Sequence, residues 1–207
     1  MPTARAGLAT GVIDGKLYAV GGTRKLFTYL STLERYDPTT DTWEHLANMP
    51  TARVGLAAGV LHGKLYVVGG EGVLNNRMRV LPVLERYDPA TDTWERLSDM
   101  PTARADLAAG VIDGKLYVVG GDEGGVLGAL GVLAASGGAR LERYDPATDT
   151  RERLDDMPTR RKGLAAAVIG NQLYALGGMD MSWISIGPPG PSESRELERY
   201  SLIHPLP

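Results

Sequence analysis

Short apolar runs and short alternating runs recur along the whole chain. Between residues 49 and 99, apolar runs at 54–61 and 64–68 are separated by His62-Gly63, and apolar and polar residues then alternate at 84–87 and 93–97. Runs of this length that are rich in β-branched and aromatic residues and bounded by Gly, Pro and Asp are typical of β-strands. The pattern therefore predicts four short strands, which we call a, b, c and d.

Glycine marks the ends of the first two predicted strands. Asp14-Gly15 and Asp113-Gly114 lie between apolar runs, where a two-residue hairpin needs positive φ at both central positions. Strands a and b should therefore form a hairpin. A glycine pair then closes strand b in every unit and indicates close backbone packing. These pairs are Gly21-Gly22, Gly69-Gly70, Gly120-Gly121 and Gly177-Gly178.

The pattern is repeated four times, in units 1–48, 49–99, 100–156 and 157–207. Differences in length among the first three units fall between the glycine pair and the next repeated tyrosine, which is the predicted b–c loop. Because strands alternate in direction in such a meander, the b–c loops should share a face with the Met-Pro-Thr-Ala-Arg segments that link d to a. Insertions confined to one place in a repeat often mark a binding face.

Four short strands repeated at about 50 residues match a propeller blade. The Gly-Gly pair, followed by Tyr36 and Trp43 or by Tyr87 and Trp94 at equal spacing, resembles the kelch repeat over essentially the whole chain. The resemblance implies an all-β domain, residues 1–207, of kelch-type β-propeller blades with four antiparallel strands. Unit 3 departs from it with Arg151 in place of tryptophan, and unit 4 lacks a recognisable strand d after Tyr200.

Kelch domains commonly close as rings of about six blades, within the range known for propellers. Three complete units and one truncated unit predict an incomplete propeller, an open arc; a closed four-bladed ring is the alternative. The end blades of an arc would each expose an apolar face, which predicts self-association through these faces.

One arginine recurs at the start of strand a in every unit. The resemblance implies a partner-binding role, because arginines at this place in kelch substrate adaptors line the face that takes acidic peptides. A guanidinium offers carboxylates a planar fork of donors. The alternative is structural: each arginine pairs with an acidic residue within or between blades. The four residues are Arg5, Arg53, Arg104 and Arg161.

The b–c loops differ from unit to unit and carry aromatic residues and arginines, the types enriched at binding hot spots. We expect them to contact a protein or peptide partner as a set, the alternative for each being a cap packed on its own blade. The candidate residues are Arg24, Phe27, Tyr29, Arg77, Arg79 and Trp183.

Composition narrows the remaining possibilities. A formal net charge of −3 provides no basic field for nucleic acid or anionic lipid. The chain has no signal-like start, no membrane-length apolar run and no cysteine, and we expect a cytoplasmic protein. No motif indicates a metal, a cofactor or a catalytic residue. The sequence thus favours a non-catalytic protein-interaction module; the alternative is a small-ligand or sugar-active, mutarotase-like propeller.

Overall fold

The computed structural model describes residues 1–124, 138–180 and 197–201. Strands, turns and bends make up these residues, and they contain no helix. No helix long and apolar enough to cross a membrane occurs among them. The prediction of an all-β chain is confirmed.

Each unit forms one main antiparallel sheet, a blade, in which strands a, b and c, and d where it is described, are neighbours in that order; units 2 and 4 each form a second, smaller sheet. Blade 1 contains β1 (Ala9–Ile13), β2 (Lys16–Val20), β3 (Leu33–Asp37) and β4 (Thr42–Leu46). Blade 2 contains β6 (Ala57–Leu61), β7 (Lys64–Val68), β10 (Leu84–Asp88) and β11 (Thr93–Arg96). A short strand, β5 (Arg53–Val54), precedes it, and its b–c loop forms β8 (Glu71–Leu74) and β9 (Arg77–Val80). Blade 3 contains β12 (Ala108–Ile112), β13 (Lys115–Val119), β14 (Leu141–Asp145) and β15 (Thr150–Arg153). Blade 4 is described as β17 (Ala165–Ile169), β18 (Gln172–Leu176) and β20 (Leu197–Ser201), with short strands β16 (Arg161–Lys162) and β19 (Met179–Asp180) beside it.

The predicted hairpin turns are confirmed. Asp14 and Gly15 have φ of 49° and 73°, and His62 and Gly63 have φ of 49° and 71°. The glycine pairs also permit the close approach expected of them. A Cβ added at Gly69, where φ is 65°, would lie 2.6 Å from the carbonyl oxygen of Arg104 in the linker to blade 3.

The apolar run 54–61 is not one strand, contrary to the prediction. Gly55 has a φ of 63° and turns the chain between β5 and β6. Strand β5 pairs instead with β8, with Arg53 opposite Gly72. This pairing joins the d–a linker to the b–c loop and confirms that the two lie on one face.

The blades stack side by side in chain order. The first strand of each blade contacts the first strand of the next, from β1 through β6 and β12 to β17. Each interface is an apolar core shared by two blades; Ile13 and Tyr18 of blade 1 join Leu65 and Tyr87 of blade 2, all at most 3% exposed. Val12 on β1 is 60% exposed and Ile169 on β17 is 66% exposed, so blades 1 and 4 do not cover each other and the four described blades form an open arc.

Candidate functional site

The repeated arginines lie inside the blades. Arg53 and Arg104 are fully buried, as are the Arg161 side chain and the side chain of Arg5. Arg53 donates from Nη1 to the carbonyl oxygens of Gly69 (2.8 Å) and Val83 (3.0 Å), and Nη2 lies 2.7 Å from Glu85 Oε2. Arg53 therefore connects the linker that precedes blade 2 to the end of β7 and the start of β10 in that blade.

The same arrangement recurs in neighbouring blades. Arg104 donates to the carbonyl oxygen of Gly120 at 2.8 Å and lies 3.0 Å from Glu142, and Arg5 lies 3.2 Å from Glu34. Arg161 donates to the carbonyl oxygen of Gly177 at 3.3 Å. Burial lowers the pKa of Arg53, and the adjacent carboxylate of Glu85 opposes this shift.

These contacts favour the structural alternative for the repeated arginines. A guanidinium with no exposed surface and a carboxylate partner in its own blade cannot reach a peptide without local unfolding. Arg5, Arg53 and Arg104 thus use their guanidinium groups within the blade, and Arg161 is buried at the same position; a partner-binding role for these four arginines stays a prediction. The glutamate in each repeated Leu-Glu-Arg-Tyr run was the sequence signal for this pairing, since it recurs as regularly as the arginine.

The variable loops of blades 1 and 2 are exposed. In the blade 2 loop, β8 and β9 form a hairpin whose turn residues Asn75 and Asn76 have φ of 52° and 56°. Arg77 and Arg79 lie on β9 with exposed side chains. In the blade 1 loop, Arg24 is exposed and Phe27, at a φ of 63°, is 49% exposed.

Tyr29 joins the two loops. Its hydroxyl donates a hydrogen bond to Glu71 at the start of β8. Burial, followed by this hydrogen bond, raises the pKa of Tyr29. The hydrogen bond between Tyr29 and Glu71 thus connects the two loops that carry the predicted residues. Trp183 lies outside the described residues.

Sequence reasoning missed the apolar part of this surface. Leu26 in the first loop is 75% exposed, and Val73 and Leu74 in the second are 53% and 51% exposed. We call Arg24, Leu26, Phe27, Val73, Leu74, Arg77 and Arg79 the loop surface. On the hairpin, Leu74 pairs with Arg77 and lies on the same side as both arginines, whereas Val73 pairs with Met78 and faces the other side. Leu74 beside Arg77 and Arg79 can therefore bury apolar groups while the arginines pair with carboxylates.

Acidic side chains lie close together near the blade 2 loop, around Asp106. Asp106 occupies a position held by Gly7, Gly55 and Gly163 in the other units, and it keeps the positive φ, 53°. Desolvation raises the pKa of Asp106, and the nearby Asp122 and Glu71 add to the shift, whereas Lys162 opposes it. Lys162 lies 3.1 Å from Asp122 and forms an ion pair with it. No group of His, Cys, Asp and Glu in the described residues could hold a metal ion.

Comparison with known proteins agrees with the geometry. The Kelch motif model matches residues 4–50, 52–101, 103–158 and 160–203. The chain is 31% identical over 162 residues to Kelch-like protein 38 of Rattus norvegicus, a match that covers 78% of this chain and 25% of that protein. It is 32% identical over 187 residues to Kelch-like protein terF of Aspergillus terreus, covering 86% of this chain and 39% of that protein. The chain thus spans well under half the length of these relatives.

A solved structure shows the same fold. The structure of YjhT superimposes with a TM-score of 0.75 at 18% identity and covers 97% of this chain and 66% of that chain. Four motif matches that together span nearly every residue, combined with four stacked blades, establish that the chain belongs to the kelch-repeat family.

Proposed function

We propose that this chain is a non-catalytic protein-interaction module whose loop surface binds an acidic peptide or protein segment that also carries apolar residues. The observation that carries the proposal is that four apolar side chains and three arginines are exposed on two loops connected by the Tyr29–Glu71 hydrogen bond, with Leu74 paired directly to Arg77; the apolar residues are Leu26, Phe27, Val73 and Leu74. Exposed apolar groups in a contiguous patch favour partner contact. Arginine supplies the bidentate pairing that selects carboxylates.

Charge on this face supports the choice of partner. Lys25 in the first loop is exposed and brings the cations of the two loops to four, and Glu71 in the second loop already accepts a hydrogen bond from the Tyr29 hydroxyl. An acidic segment would meet these cations at the loop surface. Complementary charge would steer the segment to this face.

The sugar-active alternative places its ligand elsewhere. It needs polar groups that converge on a channel between blades, whereas the exposed apolar side chains and arginines lie on the loops. We therefore base the proposal on the loop surface. The exposed end blades support a second interaction, association through their faces, of which self-association is the simplest form.

Peptide display against the immobilised chain tests the loop surface. We expect enriched peptides to carry Asp or Glu next to apolar residues. Binding of an enriched peptide should fall at least tenfold in Arg77→Ala/Arg79→Ala, because charged pairs at the centre of an interface are worth about 2 kcal/mol or more.

A matched variant removes two cations from the opposite face. Lys16→Ala/Lys64→Ala changes the net charge equally at the strand b starts, where each lysine pairs with an aspartate. Binding should be unchanged in this variant. Equal losses in both double variants would reduce the effect to net charge and refute a defined loop surface.

A further inference from the structure

Strand β9 is an edge strand of the small sheet in the blade 2 loop. That sheet has the order β5–β8–β9, so β8 is paired on both sides and β9 is paired with β8 alone among the described strands. The edge lies on the loop face, where the b–c loops and the d–a linkers meet. An exposed edge strand is a template for the backbone of another chain.

Alternate residues of β9 use their backbone groups to hold β8. The Leu81 N–H, just beyond β9, donates to the carbonyl oxygen of Gly70 at 2.8 Å, and the β8–β9 register, when continued, places these two residues opposite each other. Opposed residues of an antiparallel pair alternate between hydrogen-bonded and non-hydrogen-bonded pairs. Arg79 and Arg77 therefore face β8 with their N–H and C=O groups. The two-residue turn at 75–76, with positive φ at both positions, closes on the same Arg77 pair.

The other two residues of β9, Met78 and Val80, direct their backbone groups away from β8. This follows from the alternation, because the N–H and C=O groups of successive residues in a strand point to opposite edges. Within the described part of the chain, no hydrogen bond is made to these outward groups. Both residues therefore offer a donor and an acceptor to an added strand.

The two sides of this edge differ in charge. The side chains of Arg77 and Arg79 are exposed on one side, and those of Met78 and Val80 are half-buried on the other. Glu71 pairs with Val80 and therefore lies on the Met78 side. The cations of the edge thus all lie on the side away from Glu71.

A strand added to this edge would bring its side chains close to both arginines. Its backbone would bond to Met78 and Val80, so the residues opposite Arg77 and Arg79 would form non-hydrogen-bonded pairs. Side chains approach most closely in such pairs, and opposite charges that face each other across strands are stabilising. Acidic residues at every second position of the added strand would therefore meet both arginines.

A second copy of β9 is the poorer occupant of this edge. Antiparallel pairing of two copies through Met78 and Val80 would place arginines of both copies on the same side, opposite one another or nearly so. Like charges opposed across strands are destabilising, and charged side chains on an edge commonly prevent unwanted pairing. Arg77 and Arg79 thus disfavour a second copy and favour an acidic strand.

We propose that the outer edge of β9 binds an extended peptide segment by antiparallel strand addition, with acidic residues opposite Arg77 and Arg79 and apolar residues between them. Main-chain hydrogen bonds to Met78 and Val80 supply affinity, and the alternation of acidic and apolar residues supplies specificity. This inference rests on the proposed function, because it uses the arginines of the loop surface. It adds how the backbone of the partner is held and which spacing of acids is selected.

Two capped hexapeptides of equal composition test the spacing. Glu-Val-Glu-Val-Glu-Val places all its acids on one side of a strand, whereas Glu-Glu-Glu-Val-Val-Val does not. We expect the alternating peptide to bind the 207-residue chain about tenfold more tightly, measured by fluorescence anisotropy of the labelled peptides. Equal affinities of the two peptides, or no binding of the alternating one, would overturn the proposal.

N-methylated peptides distinguish strand addition from binding by side chains alone. In the proposed pairing the valine N–H groups of the alternating peptide donate to β9, and the glutamate N–H groups point away from it. Methylation of the valine amides should weaken binding about tenfold or more, whereas methylation of the glutamate amides should change it less than about twofold. Equal effects of the two methylations would overturn strand addition.

The same peptides separate this inference from the proposed function. If both methylated forms bind equally and affinity still falls in Arg77→Ala/Arg79→Ala, strand addition is wrong and the proposed function stands. If the alternating peptide binds that double variant as tightly as the natural chain, the arginines do not select the acids. That result would contradict both proposals.

Proline at Met78 tests the edge from the side of the protein. Met78→Pro removes an outward N–H and none of the bonds between β8 and β9, and proline is tolerated at such edge positions. We expect it to bind the alternating peptide about fivefold more weakly than Met78→Ala, which loses the same side chain but keeps the N–H. Equal affinities of the two variants would overturn the proposal.

Hydrogen exchange controls for damage to the hairpin. The Arg79 amide bonds to β8, so its protection should be the same in Met78→Pro and Met78→Ala. If the proline variant loses this protection, the methylated peptides on the natural chain decide the question. Self-association measured by sedimentation equilibrium should also be equal in the two variants; association lost with proline alone would make a second copy the occupant and contradict the proposal.

Discussion

The arginines repeated in every unit and the arginines unique to one loop occupy opposite environments. Arg53 is fully buried and donates to two backbone carbonyls and to Glu85. Arg77 and Arg79 are exposed on a hairpin that projects from the blade. The arginines that recur with the fold period therefore hold the blade together here, and those that break the period are exposed to solvent.

Removal of a repeated arginine should give the largest effect. Arg53→Met leaves Glu85 buried without its counter-charge, and breaking a buried ion pair in this way costs about 3–5 kcal/mol. We expect the free energy of unfolding, measured by urea titration, to fall by that amount.

The double variant Arg53→Met/Glu85→Leu provides the control. With both charges gone, most of the loss should be recovered, because no uncompensated charge stays buried. A single-variant loss below about 0.5 kcal/mol, the range of ordinary surface substitutions, would remove the distinction between the two arginine classes.

The glycine pairs give the next largest effect. Gly69→Ala would place a Cβ 2.6 Å from a backbone oxygen of the next blade at a φ of 65°, and we expect a loss of about 3 kcal/mol from strain and crowding together. Gly15 has a φ of 73° but open space around it. Gly15→Ala should therefore cost only the strain, about 1 kcal/mol, and thermal melting of the two variants would separate the two causes.

Periodicity made most of the fold predictable. The residues Asp14-Gly15 predicted the hairpin of strands a and b. The repeated spacing of tyrosine and tryptophan, as in Tyr36 and Trp43, indicated the four-stranded units. The break at Gly55 was not foreseen, because glycine within an apolar run does not reveal the sign of its φ. The pairing of Arg53 with Glu85 was one of two open alternatives, since spacing cannot tell a buried guanidinium from an exposed one.

The loop surface was predictable only in part. Residue type identified Arg77, Arg79 and Phe27, but exposure of Val73 and Leu74 depends on how the β8–β9 hairpin projects from blade 2. The bond between Tyr29 and Glu71 joins two loops of different units, and no local pattern encodes it.

Arg151 is an arginine of a third kind, because it occupies in unit 3 the repeated position that holds Trp43 in unit 1 and Trp94 in unit 2. Its guanidinium lies 4.7 Å from the Tyr144 ring and donates to the carbonyl oxygen of Ser98. In blade 2, the Trp94 ring lies 5.2 Å from the Tyr87 ring, and its N–H donates to the carbonyl oxygen of Ala47. Arg151→Trp should therefore change the free energy of unfolding by less than about 1 kcal/mol, because one donor and one stacking contact replace another pair. Arg151→Ala removes the hydrogen bond to Ser98 and the contact with the Tyr144 ring, and it should lower the melting temperature. Equal melting temperatures of the Ala and Trp variants would show that these two contacts contribute nothing to stability.

Loop arginines should give the smallest effect on stability. Arg77→Ala/Arg79→Ala removes two exposed side chains from β9 while the pairing of β8 with β9 and with β5 is retained. Surface substitutions of this kind stay within about 0.5 kcal/mol, and the urea midpoint and slope should both be unchanged. A loss as large as that of Arg53→Met would mean that the hairpin arginines also hold the blade together. Departure from the repeat would then cease to mark the surface that binds partners, and a drop in peptide binding by this variant could be explained by unfolding alone.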